Sequence, residues 1–176
     1  MKHVLVVAGT RPELIKLGPV VREMKAHPGL KVTYVLTGQH YDELMAGASI
    51  WQANPSWPQP DGVTDEYMDG IDAVLVQGDT NSAQAGAIWA VTNHIPLIHL
   101  EAGLRCFDTS VPEEQIRVWI DERADLLLTP SHLATAFAQR DAKVGSVIIP
   151  IGQTGLEAFA EVSRSVARQH LAEPTA

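Results

Sequence analysis

VLVVAGTRPELIKLGPVVREM, residues 4–24, decides the fold. Val4 to Ala8 is an unbroken β-branched and apolar run, with no alternation of polar residues. Such a run suits a strand buried on both faces, as in a parallel sheet. Gly9-Thr10-Arg11-Pro12-Glu13 ends it: Pro12 fits the first turn of a helix, and Thr10 is the candidate cap. Leu14, Leu17, Val20, Val21 and Met24 then recur at helical spacing, which predicts an amphipathic helix to about His27, stopped by Pro28-Gly29.

The same strand–turn–helix unit repeats outward from this stretch. Lys31 to Leu36 reads as a second strand, and Tyr41 to about Ile50 as a helix. From Asn54-Pro55 through Trp57-Pro58 to Pro60-Asp61-Gly62 there is no period, which predicts a loop, with a short helical turn at Tyr67 and Met68. Strands follow at Ala73–Val76, Ile95–Leu100, Leu126–Leu128 and Val147–Ile151. Between them helices are expected at Ser82–Thr92, whose small residues allow close packing on a sheet, at Glu113–Asp125 and at Ser131–Arg140; a last helix runs from Gly152 to Arg168. This order predicts an α/β fold: a Rossmann-like parallel sheet with helices on both faces and right-handed crossovers.

The chain has 176 residues, a formal net charge of -8 and one cysteine, Cys106. A domain of this size buries about 68–70% of the surface its unfolded chain exposes, so it needs no disulfide staples. The acidic balance argues against nucleic-acid and anionic-membrane partners. No run approaches the roughly 18 apolar residues of a membrane span, and the apolar start is too short for a signal peptide, so a cytoplasmic protein is expected.

In parallel α/β sheets, ligands bind outside the carboxyl ends of the strands. The polar clusters of this chain fall there: Gly9-Thr10-Arg11, Gly38-Gln39-His40, Gly78-Asp79-Thr80, and HLEAGLRCFDTSVPEEQIR at residues 99–117. Phosphate-loop and dinucleotide glycine fingerprints are both missing. Arg11 at a helix start and Lys16 one turn on could hold an anion, although a solvated Arg beside a capped turn is the plainer reading of Arg11. Asp79 either caps the next helix or faces the cleft. His99 and Glu101, two apart, share a face if the strand continues through them. Glu113 and Glu114 open a helix, where the dipole favours acidic residues in any case. Asp79, Glu101 and Glu113 could still converge in one pocket, where mutual repulsion and burial separate their pKa values into an acid and a base. No HExxH or cysteine pairing suggests a metal.

The ordered set Val7-Ala8-Gly9-Thr10-Arg11-Pro12-Glu13-Leu14-Ile15-Lys16, Thr37-Gly38-Gln39-His40, Val76-Gln77-Gly78-Asp79-Thr80, His99-Leu100-Glu101-Ala102-Gly103-Leu104-Arg105 and Pro112-Glu113-Glu114 resembles the non-hydrolysing, bacterial and archaeal UDP-N-acetylglucosamine 2-epimerases. The resemblance implies one half of a GT-B-type pair of Rossmann-like domains. On this resemblance residues 1–158 are expected to be the N-terminal domain and residues 159–176 a terminal helix and frayed tail, with the family's second, UDP-binding domain not expected within these 176 residues. It implies interconversion of UDP-N-acetylglucosamine and UDP-N-acetylmannosamine by elimination and re-addition of UDP, with no metal or other cofactor. Asp79, Glu101 and Glu113 match the acid–base carboxylates. Arg11, Lys16, Gln39, His40, Arg105 and Arg117 are the candidate substrate-binding residues. The expected partners are a UDP-sugar, a separately encoded UDP-binding domain and a second copy of the chain. Two positions depart from the family pattern: Ile116 stands where the family has Asn, and Gln153 replaces Asn in Gly-Asn-Thr. The connection from His40 to Asp72 is also short. The alternative functions are a non-catalytic binding or assembly domain and a hydrolysing relative that releases UDP and N-acetylmannosamine.

Overall fold

The structure is a computed structural model that describes residues 1–37 and 70–172, with side chains to residue 164. The helix expected from Tyr41, the Pro- and Trp-rich loop, and the candidate residues Gln39 and His40 lie outside the described residues.

Six strands form one sheet: β1 (Lys2–Ala8), β2 (Leu30–Leu36), β3 (Ala73–Gln77), β4 (Leu97–Leu100), β5 (Leu126–Thr129) and β6 (Val147–Pro150). Their order is β2-β1-β3-β4-β5-β6, and every pairing is parallel. The described helices are α1 (Arg11–Ala26), α2 (Asn81–Thr92), α3 (Pro112–Asp121), α4 (His132–Asp141) and α5 (Thr154–Ala172). The chain starts in β1, steps outward to β2, then crosses back to β3 on the other side of β1. That reversal makes the carboxyl ends of β1 and β3 the switch point, where such sheets open a ligand crevice.

The apolar strands are continuous because both faces are covered. Leu5, Val7, Val74 and Val76 pack with Ala83, Ala87, Ala90, Ile116 and Ile120 on the side of α2 and α3. Val4, Val6, Ala8 and Leu75 pack with Leu14, Leu17 and Val21 of α1 on the other side. Adjacent residues of β1 therefore serve opposite cores, as the period of two requires. The small residues of α2 bring it close to the sheet: a Cβ at Gly86 would sit 2.9 Å from Val7 Cβ.

Two expected boundaries shift. Helix α3 ends at Asp121 rather than Asp125 because Asp125 leads into β5, where its N–H donates to Leu97 O and its carboxylate accepts from Leu97 N. Strand β4 stops at Leu100, and Glu101 turns into the left-handed region with φ 64°. The strand therefore does not carry His99 and Glu101 to a common face. Helix α5 is continuous through residue 158 and returns to α1, where Arg22 pairs with Glu161 at 2.7 Å. Leu156, Phe159 and Val162 are 70%, 71% and 62% exposed, an open apolar stripe at one-turn spacing. Among the described residues, no helix is long and apolar enough to cross a membrane.

Candidate active site

A cleft of about 610 Å³ opens at the switch point. The turn after β1, the turn after β3, the turn after β4 and the start of α3 surround it, and Lys16, Asp79, Glu101, Glu113 and Arg117 all line it.

Glu13 organises the first wall. Its Oε2 accepts from the backbone N–H groups of Gly9 and Thr10 at 2.8 and 2.6 Å, and its Oε1 accepts from Thr80 Oγ1 at 2.6 Å. The same Thr80 oxygen accepts from Ala83 N and so caps α2. The capping role open to Asp79 thus falls to Thr80, and Asp79 faces the cleft. One carboxylate ties the β1 turn to the β3 turn. Glu13 had no separate role in the sequence reading, although the Thr10-x-x-Glu13 spacing of a capping box was visible.

Glu101 forms the floor. It is 4% exposed, and its Oε2 accepts from Lys16 Nζ and Gln77 Nε2, both at 2.6 Å. Its Oε1 is buried with no hydrogen-bond partner among the described residues. A buried carboxylate oxygen normally has a partner, so this free lone-pair site marks a place for a proton or a ligand donor. Gln77, the last residue of β3, stands in the Val76–Thr80 motif but was given no role, because a Gln at a strand end does not show locally which partner it takes.

The far wall is an ion-pair chain. Arg117 pairs with Asp79 through one terminal nitrogen and with Glu114 through the other, the latter at 2.6 Å. Burial works against the charge on Arg117, but Asp79 and Glu114 outweigh it and raise its pKa. Burial likewise pushes the Glu114 carboxyl up, yet hydrogen bonds from Cys106 N and Phe107 N, with Arg117 beside them, hold it below its ordinary value. Glu114 is therefore an anchored carboxylate that shapes the loop before α3. Glu113 is exposed at the mouth, and Ile116 is buried with its side chain lining the cleft.

Two expected binding residues lie elsewhere. Arg11 is exposed at the first position of α1 and does not line the cleft. Arg105 is 1% exposed and turned inward, to Asp121 at 2.7 Å and Asp141 at 2.8 Å. A buried guanidinium needs carboxylate partners, and those two, from α3 and α4, take it away from the cleft. The structure thus gives Arg105 a place between α3 and α4, apart from the residues that line the cleft. Gln153 is exposed just before α5.

The fold defines a Rossmann-like domain with a charged cleft, one half of the GT-B-type architecture of its structural neighbours. Residues 67–175 match the UDP-N-acetylglucosamine 2-epimerase family, and the chain belongs to it. It is 34% identical to a UDP-2,3-diacetamido-2,3-dideoxy-D-glucuronate 2-epimerase from Pseudomonas aeruginosa, over 82% of this chain and 48% of that protein. It is 32% identical to a UDP-N-acetylglucosamine 2-epimerase from Methanocaldococcus jannaschii, over 87% of this chain and 46% of that protein. The solved structure of a Methanocaldococcus jannaschii UDP-GlcNAc 2-epimerase in complex with UDP-GlcNAc and UDP superposes with a TM-score of 0.78 at 30% identity, covering 92% of this chain and 48% of that one. A Neisseria meningitidis UDP-GlcNAc 2-epimerase bound to UDP-GlcNAc gives 0.80 at 25% identity, covering 98% and 53%. The chain spans about half the length of the curated relatives it matches.

Proposed function

We propose that this chain supplies the acid–base half of a UDP-N-acetylglucosamine 2-epimerase site and works with a UDP-binding domain that covers the cleft. The observation that carries the reading is Glu101: a buried carboxylate with one oxygen held by Lys16 and Gln77 and the other without a partner among the described residues, in a cleft shared with Asp79, Glu113 and Arg117. In the proposed reaction a carboxylate removes the C2 proton. The C2–H electron pair forms the C1=C2 bond, and the C1–O bond breaks with its pair leaving on the UDP oxygen. UDP then adds back to C1 of the 2-acetamidoglucal while C2 takes a proton on the opposite face. Placed carboxylates supply the proton transfers, and Lys16 and Arg117 offset the charge growing on the departing diphosphate.

The ligand is a UDP-sugar, and the location expected for this chemistry is the cytoplasm. The open stripe of Leu156, Phe159 and Val162 fits a chain that needs a further domain or a second copy, since contiguous exposed apolar surface marks interaction sites. The test is incubation with UDP-N-acetylglucosamine in deuterium oxide, with the chain alone and with the UDP-binding half of a relative added. Deuterium at C2 and UDP-N-acetylmannosamine in the product support the reading. No ligand binding and no exchange in either mixture defeats it, and steady release of free UDP indicates the hydrolysing reaction instead. One competing reading is a domain that keeps the fold for binding alone. Under that reading Asp79→Asn and Glu101→Gln leave its biological role intact.

A further inference from the structure

Beneath the cleft lies a buried set of charged side chains that the proposed proton transfers do not use. His99, at the end of β4, is fully buried. Its Nε2 lies 2.8 Å from the carbonyl oxygen of Gly78, and its Nδ1 lies 2.6 Å from Asp121 Oδ1. A carbonyl oxygen can only accept. Asp121 is a carboxylate: burial alone pushes its carboxyl up, but His99 and Arg105 more than offset this and hold it below its ordinary value. Both ring nitrogens therefore face acceptors, and only the doubly protonated imidazolium can donate to both. Among the described residues the charged groups in this set are Asp121 from α3 and, beyond it, Arg105 after β4 with Asp141 and its exposed partner Arg140 at the end of α4.

This cluster reaches both turns of the site. Gly78 N–H donates to Leu100 O at 3.0 Å while its carbonyl accepts from His99, so both polar groups of Gly78 are tied to β4 just before Asp79. Asp121 Oδ2 accepts from Gly103 N at 2.9 Å, which closes the turn that begins at Glu101 with φ 64°. One carboxylate thus holds the Glu101 turn directly and the Asp79 turn through His99.

We propose that His99, as an imidazolium, and Asp121 are positioning residues that lock the turns carrying Asp79 and Glu101 in register for acid–base chemistry. The functional part of this assignment rests on the epimerase reading above. The test is ¹⁵N NMR of the full chain with labelled histidine at about pH 8, where ordinary histidines are mostly neutral. The expected result is one ring with protons on both nitrogens, shielded from solvent exchange and lost in His99→Gln. In Asp121→Asn, which keeps the shape of the side chain, that ring becomes a single-proton tautomer. The backbone amide signals of Asp79 and Gly103 then move while those of β2 stay in place. A singly protonated His99 in the unaltered chain overturns the proposal, and that measurement needs no variant to fold. Unmoved Asp79 and Gly103 signals in a folded Asp121→Asn chain overturn it equally. All these signals are read without nucleotide sugar, so a chain that shows them and binds no UDP-sugar counts against the epimerase reading alone.

Discussion

Replacing Glu13 by Ala should destabilise the whole switch point, although this residue belongs to neither the proposed proton relay nor the apolar core. The carboxylate is 1% exposed and accepts three hydrogen bonds, from Gly9 N, Thr10 N and Thr80 Oγ1. The Thr80 hydroxyl can rotate and find water in the cleft. The two backbone N–H groups belong to buried residues and cannot turn away without unwinding the start of α1. Each buried donor left unsatisfied costs about 1–3 kcal/mol, so the pair comes to about 4 kcal/mol. For a domain of 150–250 residues, about 4 kcal/mol lowers the melting temperature by roughly 8–16 °C. Glu13→Gln keeps an acceptor oxygen for the backbone and loses only the charge assistance, so about 1–2 kcal/mol is expected. The assay is thermal and urea unfolding of both variants by circular dichroism. A loss below about 1 kcal/mol for Glu13→Ala would refute the reasoning, because it would mean that water reaches these donors as readily as the carboxylate does.

Other outcomes follow from the same geometry. Arg105→Leu leaves Asp121 and Asp141 short of a buried cation and should cost about 3–5 kcal/mol in urea unfolding; an unchanged midpoint would show that the pair is dispensable. Stability should fall as the pH drops below about 4, measured by urea midpoints between pH 6 and 3. Asp121 and Glu114 have folded-state pKa values below their unfolded ones, so their contribution is present above the unfolded values and is lost as the pH falls through the folded ones. Asp121→Asn should flatten part of that slope. Gly103→Ala should abolish soluble expression or cost more than about 3 kcal/mol, since φ is 81° and the new Cβ would lie 2.0 Å from Ala134 O; a melting temperature within error of the unaltered chain would contradict this.

Much of the architecture was readable because short-range chemistry governs it. Val4–Ala8, Ala73–Val76 and Leu126–Leu128 are apolar without alternation, and only a sheet covered on both faces buries such runs. The polar turns after β1, β3 and β4 had to gather at one end because all strands are parallel. Asp79, Glu101 and Glu113 therefore stood out as neighbours before any coordinates. The roles of Arg105, Glu114 and His99 were not readable in the same way. Each is a charged residue in a motif, and nothing local says whether such a side chain faces the cleft or the interior. The directions of Arg105 and His99 depend on Asp121 and Asp141, which are 16 and 36 positions beyond Arg105 along the chain, and that of Glu114 on the backbone N–H groups of Cys106 and Phe107.

By itself, the sequence determined the α/β class, the bounds of most strands and helices, the end of the sheet that carries the site, and the family. Those follow from periodicity, turn residues and ordered motifs, all of which act within a few residues of one another. Only the tertiary structure decided that β3 crosses back beside β1 to open the crevice, and that Glu101 leaves its strand with positive φ and one oxygen unpartnered among the described residues. It alone decided that Thr80 and not Asp79 caps α2, and that Arg105 and His99 turn inward. Apart from the crossover, which is a choice of strand order, each of these outcomes is a choice among partners for a buried charge or lone pair. The partners lie on different elements, so packing of the sheet and helices has to bring them within about 3 Å before the choice exists.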